Sequence, residues 1–153
     1  MTLVEQINSD LKEFLKAGKS FEAGVLRMII ASFKNKEIEK RGNGQDINLS
    51  QEEVIDILAK EYKKRKEAME IYTGAGRANL AEKEKQETEI IKNYLPEQMS
   101  APEIEKSVME IIEKLGASGQ KDFGKVMGQA VKELKGKADS AVISEIVKTK
   151  LGN

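Results

Sequence analysis

The sequence contains neither cysteine nor histidine among its 153 residues. Without cysteine the chain forms no disulfide, and without both residue types it lacks zinc-binding patterns, Cys–His pairs and the Ser–His–Asp arrangement of many hydrolases. Carboxylates remain available, but most Asp and Glu residues fall on the polar faces of predicted helices, where charged residues are normally solvated. We therefore predict no catalytic residue, no metal site and no cofactor.

Long apolar segments are also missing. No apolar run approaches the roughly 20 residues that a membrane-spanning helix requires. The N-terminus has no basic start followed by an apolar core, which a signal peptide would show. The sequence thus predicts a protein that is neither exported nor inserted in a membrane and, with the lack of cysteine, favours a cytoplasmic location.

The net charge is zero, because 26 Lys and Arg residues balance 26 Asp and Glu residues. This balance argues against a protein that binds polyanions over its whole surface. The charge is nevertheless uneven toward the C-terminus. Residues 96–120 contain two lysines and five glutamates, whereas residues 121–153 contain seven lysines and four acidic residues. The last part of the chain is therefore its basic part.

Helix signals cover nearly the whole sequence. Ser/Thr-x-x-Glu capping boxes begin at Thr2, Ser50 and Ser100, and each precedes apolar residues at helical spacing. Similar spacing predicts helices over residues 21–41 and 77–95. No segment alternates with the two-residue period of a strand, so we predict an all-α fold.

Leu95-Pro96 is the predicted domain boundary, because the residue before a proline is disfavoured in a helix and Pro102 soon begins a new one. We predict an N-terminal helical domain of about four helices over residues 1–95, followed by a small three-helix domain over residues 96–153. The fourth helix carries only a thin apolar stripe, so we expect it to be held mainly at its C-terminal end.

One segment, Gly119 to Lys125, matches the G-x-x-x-x-G-K pattern of a phosphate-binding loop. Val126 follows it, where such a loop needs Ser or Thr to hold magnesium, and the flanking segments are helices rather than a strand and a helix. We therefore reject nucleotide hydrolysis. We expect instead that Asp122 caps a helix in which Gly124 and Gly128 permit close helix packing.

Three lysines of the tail form one candidate site for phosphate contacts. Lys132, Lys135 and Lys137 converge on a turn at Gly136, after which a helix begins near Asp139 and presents its backbone amides. The alternative is that the lysines only complement the negative end of the preceding helix dipole.

A second candidate is the basic run from Lys60 to Lys66, which includes Lys63, Lys64 and Arg65. Such a run could contact a nucleic-acid backbone. Nearby acids, among them Glu61, would neutralise part of its charge, so an ordinary solvated helix face is the alternative.

Five short motifs resemble, in order, segments of the YqeY family: Leu26-Arg-Met28, Tyr62-Lys-Lys-Arg-Lys-Glu67, Tyr94-Leu-Pro-Glu-Gln98, Asp122-Phe-Gly-Lys-Val-Met-Gly128 and Gly136-Lys-Ala-Asp139. The resemblance covers nearly the whole chain. It implies a small three-helix domain similar to the tail of GatB, a subunit of the tRNA-dependent amidotransferase, where the tail helps to hold tRNA. It supplies no counterpart of the GatB catalytic portion.

By this similarity, the expected RNA contacts are Lys125, Lys132, Lys135 and Lys137 in the tail, with Lys63, Lys64 and Arg65 as a second possibility. Our leading hypothesis is an accessory RNA-binding protein, related to tRNA or another structured RNA, with no catalytic centre of its own. One alternative is a protein-interaction module that uses the long charged helices predicted over residues 50–73 and 77–95 to contact another protein or a second copy. Another is a glutamine-dependent carbon–nitrogen ligase, for which no nucleophile or ATP site is visible.

Overall fold

The computed structural model describes residues 1–152 and contains no strand among them, which confirms the predicted all-α class. Its α-helices are α1 (Leu3–Lys16), α2 (Ser20–Gly42), α3 (Gln51–Gly74), α4 (Ala78–Lys92), α5 (Ala101–Leu115), α6 (Phe123–Glu133) and α7 (Ser140–Leu151). A short 3-10 helix, Gln120–Asp122, leads directly into α6.

The three predicted capping boxes are all formed. At the start of α1, the Thr2 hydroxyl accepts a hydrogen bond from the Glu5 amide at 3.2 Å, while the Glu5 carboxylate accepts one from the Thr2 amide at 2.7 Å. The same reciprocal pairing occurs at Ser50 before α3 and at Ser100 before α5. Each cap satisfies backbone donors that the first helical turn leaves unpaired, which typically stabilises a protein by about 0.5–2 kcal/mol.

The chain forms two compact units, unit 1 (Met1–Leu95) and unit 2 (Pro96–Asn153, described to residue 152). Unit 1 contains α1 to α4 and unit 2 contains α5 to α7. Each unit buries its own apolar cluster, so each is described separately below.

Unit 1 is built around a helical hairpin of α3 and α4, with α1 and α2 packed against each other and against α3. Its core consists of the buried side chains of Ile7, Val25, Leu26, Ile29, Phe33, Val54, Leu58, Ile91 and Tyr94. The Tyr94 hydroxyl donates a hydrogen bond to Asp10 on α1 at 2.7 Å. Burial, together with this bond to the Asp10 carboxylate, raises the pKa of the Tyr94 phenol above its ordinary value.

The attachment of α4 differs from the prediction. Ala81, Glu87, Thr88 and Ile91 are all buried, so α4 is held along most of its length rather than mainly at its C-terminal end. An apolar stripe alone gave the wrong expectation because two polar residues belong to the buried face of this helix.

Unit 2 packs α5, α6 and α7 around the side chains of Ile104, Val108, Ile111, Val126, Ala130, Leu134, Ile143, Val147 and Leu151. Gly116 ends α5 in the left-handed conformation, with φ of 62°, which a residue with a side chain adopts only with strain.

Two expectations for the start of α6 are wrong. A Cβ atom added to Gly124 or Gly128 would meet no atom within 4 Å, and both glycines are exposed, so they do not serve close helix packing within unit 2. The Asp122 carboxylate does not cap α6. It accepts a hydrogen bond from the Ser118 amide at 2.8 Å and so closes the preceding turn.

Within the described part of the chain, no helix combines the length and apolar character needed to cross a bilayer. Residues 1–152 also contain no cluster of three or more Asp and Glu side chains placed to hold a metal ion.

Candidate nucleic-acid interface

Unit 2 presents a row of lysines that we call the lysine face: Lys121, Lys125, Lys132, Lys135 and Lys137. All five side chains are exposed. Lys125 and Lys132 lie on α6 seven residues apart, which keeps them on the same side of the helix. Lys121 precedes α6 in the 3-10 turn, and Lys135 and Lys137 lie in the turn that follows it. Along the helix axis, Lys125 and Lys132 are separated by roughly 10 Å, at 1.5 Å per residue.

The lysine face exists because the opposite side of α6 is apolar. Val126, Ala130 and Leu134 recur at steps of four and are buried against α5 and α7. Burial of these residues directs the positions between them toward solvent. The burial of this apolar face therefore leaves Lys125 and Lys132 exposed on the surface of unit 2.

The charges of the lysine face are not neutralised locally. None of its five lysines makes an ion pair with a residue between positions 1 and 152. The other two lysines of the tail are engaged elsewhere, because Lys150 pairs with Glu105 at 2.5 Å and Lys148 lies 5.9 Å from the centre of the Phe123 ring. The surplus positive charge of residues 121–153 is thus concentrated on the lysine face.

The turn that carries Lys135 and Lys137 is fixed by residues that precede α5. The side-chain amide of Gln98 donates hydrogen bonds to the carbonyl of Gly136 at 2.6 Å and to that of Pro96 at 2.9 Å. The Met99 backbone amide donates to the carbonyl of Lys137 at 2.9 Å. The Tyr-Leu-Pro-Glu-Gln and Gly-Lys-Ala-Asp motifs therefore meet in space, and the first holds the backbone of the second.

The N-terminus of α7 is less available to a phosphate than the sequence suggested. The Asp139 carboxylate accepts a hydrogen bond from the Ala141 amide at 3.1 Å and acts as the N-cap of the helix. A carboxylate in this position occupies the site where the helix dipole favours an anion, and it repels a second one. The lysine side chains, rather than the α7 amides, are the groups that can receive phosphate.

Arg65 does not lie on an accessible basic surface, contrary to the prediction. Its side chain is 6% exposed and pairs with Glu87 at 2.8 Å and with Glu61 at 2.5 Å. Burial alone would lower the pKa of the guanidinium, but the two carboxylates outweigh it and raise that pKa, so Arg65 remains charged. A residue engaged in this way is removed from the set of RNA contacts.

The rest of the basic run in unit 1 is also dispersed. Lys60 pairs with Asp56 at 3.0 Å, Lys63 is half-buried, and Lys64 is exposed. Periodicity explains the outcome, because Arg65 follows Val54 and Leu58 at helical steps and so belongs to the inward face of α3. Of the seven predicted RNA contacts, the four in unit 2 lie on α6 and in the turn after it: Lys125, Lys132, Lys135 and Lys137. The three in unit 1, Lys63, Lys64 and Arg65, do not form one exposed group.

Lys121 is the member of the lysine face that sequence reasoning missed. Its spacing of four residues from Lys125 was visible in the sequence, but the helix was expected to begin at an Asp122 cap, which left Lys121 outside it. In the structure Lys121 is exposed on the 3-10 turn Gln120–Asp122, which leads directly into α6.

The family model described as Yqey-like protein matches residues 4–151 of the chain. The chain belongs to the YqeY family. This result confirms the resemblance seen in the five motifs, which already covered nearly the whole chain.

Curated relatives include proteins named "Altered inheritance of mitochondria protein 41, mitochondrial". The protein from Lachancea thermotolerans is 32% identical over 67% of this chain and 52% of its own length. The one from Saccharomyces cerevisiae strain YJM789 is 27% identical over 89% of this chain and 70% of its own length. The chain spans between about half and two thirds of the length of the first relatives that it matches.

The expectation of a cytoplasmic location is overturned by these relatives, which carry the word mitochondrial in their names. That expectation rested on the lack of cysteine and of an apolar N-terminal segment. Neither observation distinguishes the cytoplasm from the interior of an organelle.

A further match is to a protein from Sulfurisphaera tokodaii that is named as one of the subunits of a glutamyl-tRNA(Gln) amidotransferase. It is 29% identical over 99% of this chain and 24% of its own length. Similarity to an amidotransferase component is therefore not confined to unit 2, although the tail alone suggested it. The amidotransferase activity in this name belongs to a protein of which the chain covers about a quarter.

Proposed function

We propose that this protein is an accessory RNA-binding protein that recognises tRNA or a similarly folded RNA through the lysine face of unit 2. The observation that carries the proposal is a set of five exposed lysines on α6 and in the turns that flank it, none of them paired with a carboxylate in residues 1–152. Such a surface contacts phosphates and releases condensed counterions, which is the main source of affinity for nucleic-acid backbones.

Two further observations support the proposal. The Gly136 turn is held by Gln98 and Met99, so Lys135 and Lys137 project from a fixed backbone and lose less freedom when they bind. The match to a component of an enzyme named for glutamyl-tRNA(Gln) is consistent with a tRNA as the RNA. Lysine ammonium groups contact phosphates by charge, which positions a nucleic acid without recognising individual bases.

The test is a binding titration with fluorescently labelled tRNA at low salt, using the full chain. The variant Lys132→Gln/Lys135→Gln/Lys137→Gln removes three charges from the lysine face. The matched control, Lys83→Gln/Lys85→Gln/Lys92→Gln, removes three charges from exposed positions on α4. We expect the first variant to bind at least about tenfold more weakly, because each neutralised lysine loses a phosphate contact, and the control to bind as the unmodified chain does.

The proposal fails if the unmodified chain has no affinity for tRNA at low salt. It also fails if both triple variants lose affinity equally, since net charge rather than the lysine face would then determine binding.

A further inference from the structure

Helix α2 carries an apolar stripe on the side away from the core of unit 1. Its members recur at steps of three and four residues: Phe21, Gly24, Met28, Ala31, Asn35 and Ile38. Phe21, Met28 and Ile38 are 37%, 42% and 64% exposed. The residues that α2 contributes to the core lie on the opposite side. Helix α2 is thus apolar on two faces, of which unit 1 covers one. We call the exposed stripe the α2 seam.

One flank of the α2 seam is closed by α3. The Ser32 hydroxyl donates to the Glu61 carboxylate at 3.1 Å, and the Arg65 guanidinium donates to the sulfur of Met28 at 3.7 Å. The buried Arg65 therefore supports one wall of the seam, and a docking helix cannot approach from that side.

The other flank is open and basic. Arg27, Lys34 and Arg41 follow one another at seven-residue steps and are exposed, so they form a row beside the seam. Lys34 pairs with Glu37 at 3.0 Å, but its side chain remains 67% exposed, and a pair this exposed is weak. Arg27 and Arg41 make no ion pair within the described residues.

An apolar stripe with a 3-4 repeat and a polar Asn at one position is the pattern by which helices pack in coiled coils, where charges beside the stripe select the partner. A second copy of α2 packed antiparallel would place two basic rows against each other, which is unfavourable. An RNA would satisfy the arginines but would leave Phe21, Met28 and Ile38 uncovered.

We propose that the α2 seam docks an amphipathic helix of another protein, and that this helix carries acidic residues beside its apolar stripe. The partner's apolar side chains would cover Phe21, Met28 and Ile38, while its carboxylates would face Arg27, Lys34 and Arg41. This inference does not depend on RNA binding, because the α2 seam lies in unit 1 and the lysine face in unit 2.

Two synthetic helical peptides test the proposal. Both carry the same apolar 3-4 stripe, one flanked by Glu and the other by Lys, and their affinities for the full chain are measured by fluorescence anisotropy. We expect the Glu-flanked peptide to bind at least about tenfold more tightly, since the flanking charges set the preference. In the variant Arg27→Glu/Arg41→Glu this preference should be reversed. It should persist in Lys106→Glu/Lys114→Glu, which makes the same change of net charge on α5.

The apolar contribution is tested by one pair of matched variants. Ile38→Gln removes an exposed isoleucine of the α2 seam, whereas Ile71→Gln removes one from α3 that is 69% exposed. Binding of the Glu-flanked peptide should weaken at least about fivefold in the first variant, because buried apolar area is lost, and should not change in the second. The proposal is overturned if neither peptide binds, if both bind equally, or if the two isoleucine variants behave alike. It is also overturned if sedimentation shows a dimer of the unmodified chain that Ile38→Gln dissociates, since the occupant would then be a second copy.

Discussion

The chain has two segments rich in positive charge, and the structure pairs the cations of one with carboxylates and leaves those of the other exposed. In unit 1, the run from Lys60 to Lys66 lies on a helix with acids at spacings of three and four, so Lys60 and Arg65 are paired with Asp56 and Glu61. In unit 2, the lysines of α6 lie opposite an apolar face, and although Asp122, Glu133 and Asp139 are near in sequence, no lysine of the lysine face forms an ion pair within residues 1–152. Local density of positive charge therefore does not identify a binding surface. The position of each cation relative to the buried stripe and to nearby carboxylates does.

The largest expected effect concerns Arg65. Replacing Arg65 with Ala leaves two carboxylates, Glu61 and Glu87, without their cation, and breaking such a buried pair typically costs about 3–5 kcal/mol. We expect hydrogen exchange of α3 and α4 amides to accelerate accordingly, while tRNA affinity changes little. Lys64→Ala, on the neighbouring exposed position, should change the free energy of unfolding by less than about 0.5 kcal/mol. Equal effects of the two substitutions would contradict the burial of Arg65.

The second prediction concerns the Gln98 amide. Gln98→Ala leaves the Gly136 carbonyl without its partner in a half-buried site, which should destabilise unit 2 by about 1–3 kcal/mol. Because the lysines would then project from a looser turn, we also expect weaker tRNA binding with an almost unchanged salt dependence. The control is Gln129→Ala, which loses a hydrogen bond to Glu133 on the surface of α6. If tRNA affinity survives loss of Gln98 intact, the turn does not position the lysines.

The third prediction uses Tyr94, whose pKa is raised in the folded chain. A phenol with a raised pKa contributes stability that is fully present below its unfolded value of 10.0 and is lost as the pH rises through the folded value. Tyr94→Phe should lower the free energy of unfolding at neutral pH by about 1 kcal/mol, through loss of the bond to Asp10. It should also make the stability of unit 1 less sensitive to alkali above about pH 10. Urea titrations at neutral and at alkaline pH measure both effects, and an unchanged alkaline slope would count against the Tyr94–Asp10 bond.

Much of the fold was predictable from local patterns. The capping boxes at Thr2, Ser50 and Ser100 indicated three helix starts because each satisfies its own backbone donors within four residues. Arg65 was assigned to a basic surface because of its charge, although it follows Val54 and Leu58 at helical steps and so belongs to the inward face of α3. The contact between Gln98 and Gly136 was not predictable, since it joins residues 38 apart through a tertiary turn. The prediction of close helix packing at Gly124 and Gly128 was wrong for a similar reason, because a small residue in the sequence does not show whether another helix lies beside it.

The smallest expected effect concerns Asp139. Asp139→Asn keeps a residue that caps helices well, so the stability of unit 2 should change by no more than roughly a few tenths of a kcal/mol. It removes a negative charge close to Lys137, so tRNA affinity should rise modestly at low salt. The same tRNA titration measures it. A fall in affinity would show that the Asp139 carboxylate itself contributes to the bound state.

The lysine face of unit 2, rather than the basic run of unit 1, is the surface that we expect to contact RNA phosphates. The deciding measurement is the slope of log K against log salt concentration for tRNA binding. It should be compared among the unmodified chain, Lys132→Gln/Lys135→Gln/Lys137→Gln, and Lys60→Gln/Lys64→Gln/Lys66→Gln, which neutralises exposed lysines of α3. We predict that the unit 2 variant loses about two units of slope, since each phosphate contact contributes roughly 0.7–0.9, while the unit 1 variant keeps the slope of the unmodified chain. If the slope falls in the unit 1 variant and is unchanged in the unit 2 variant, the RNA binds to α3 instead.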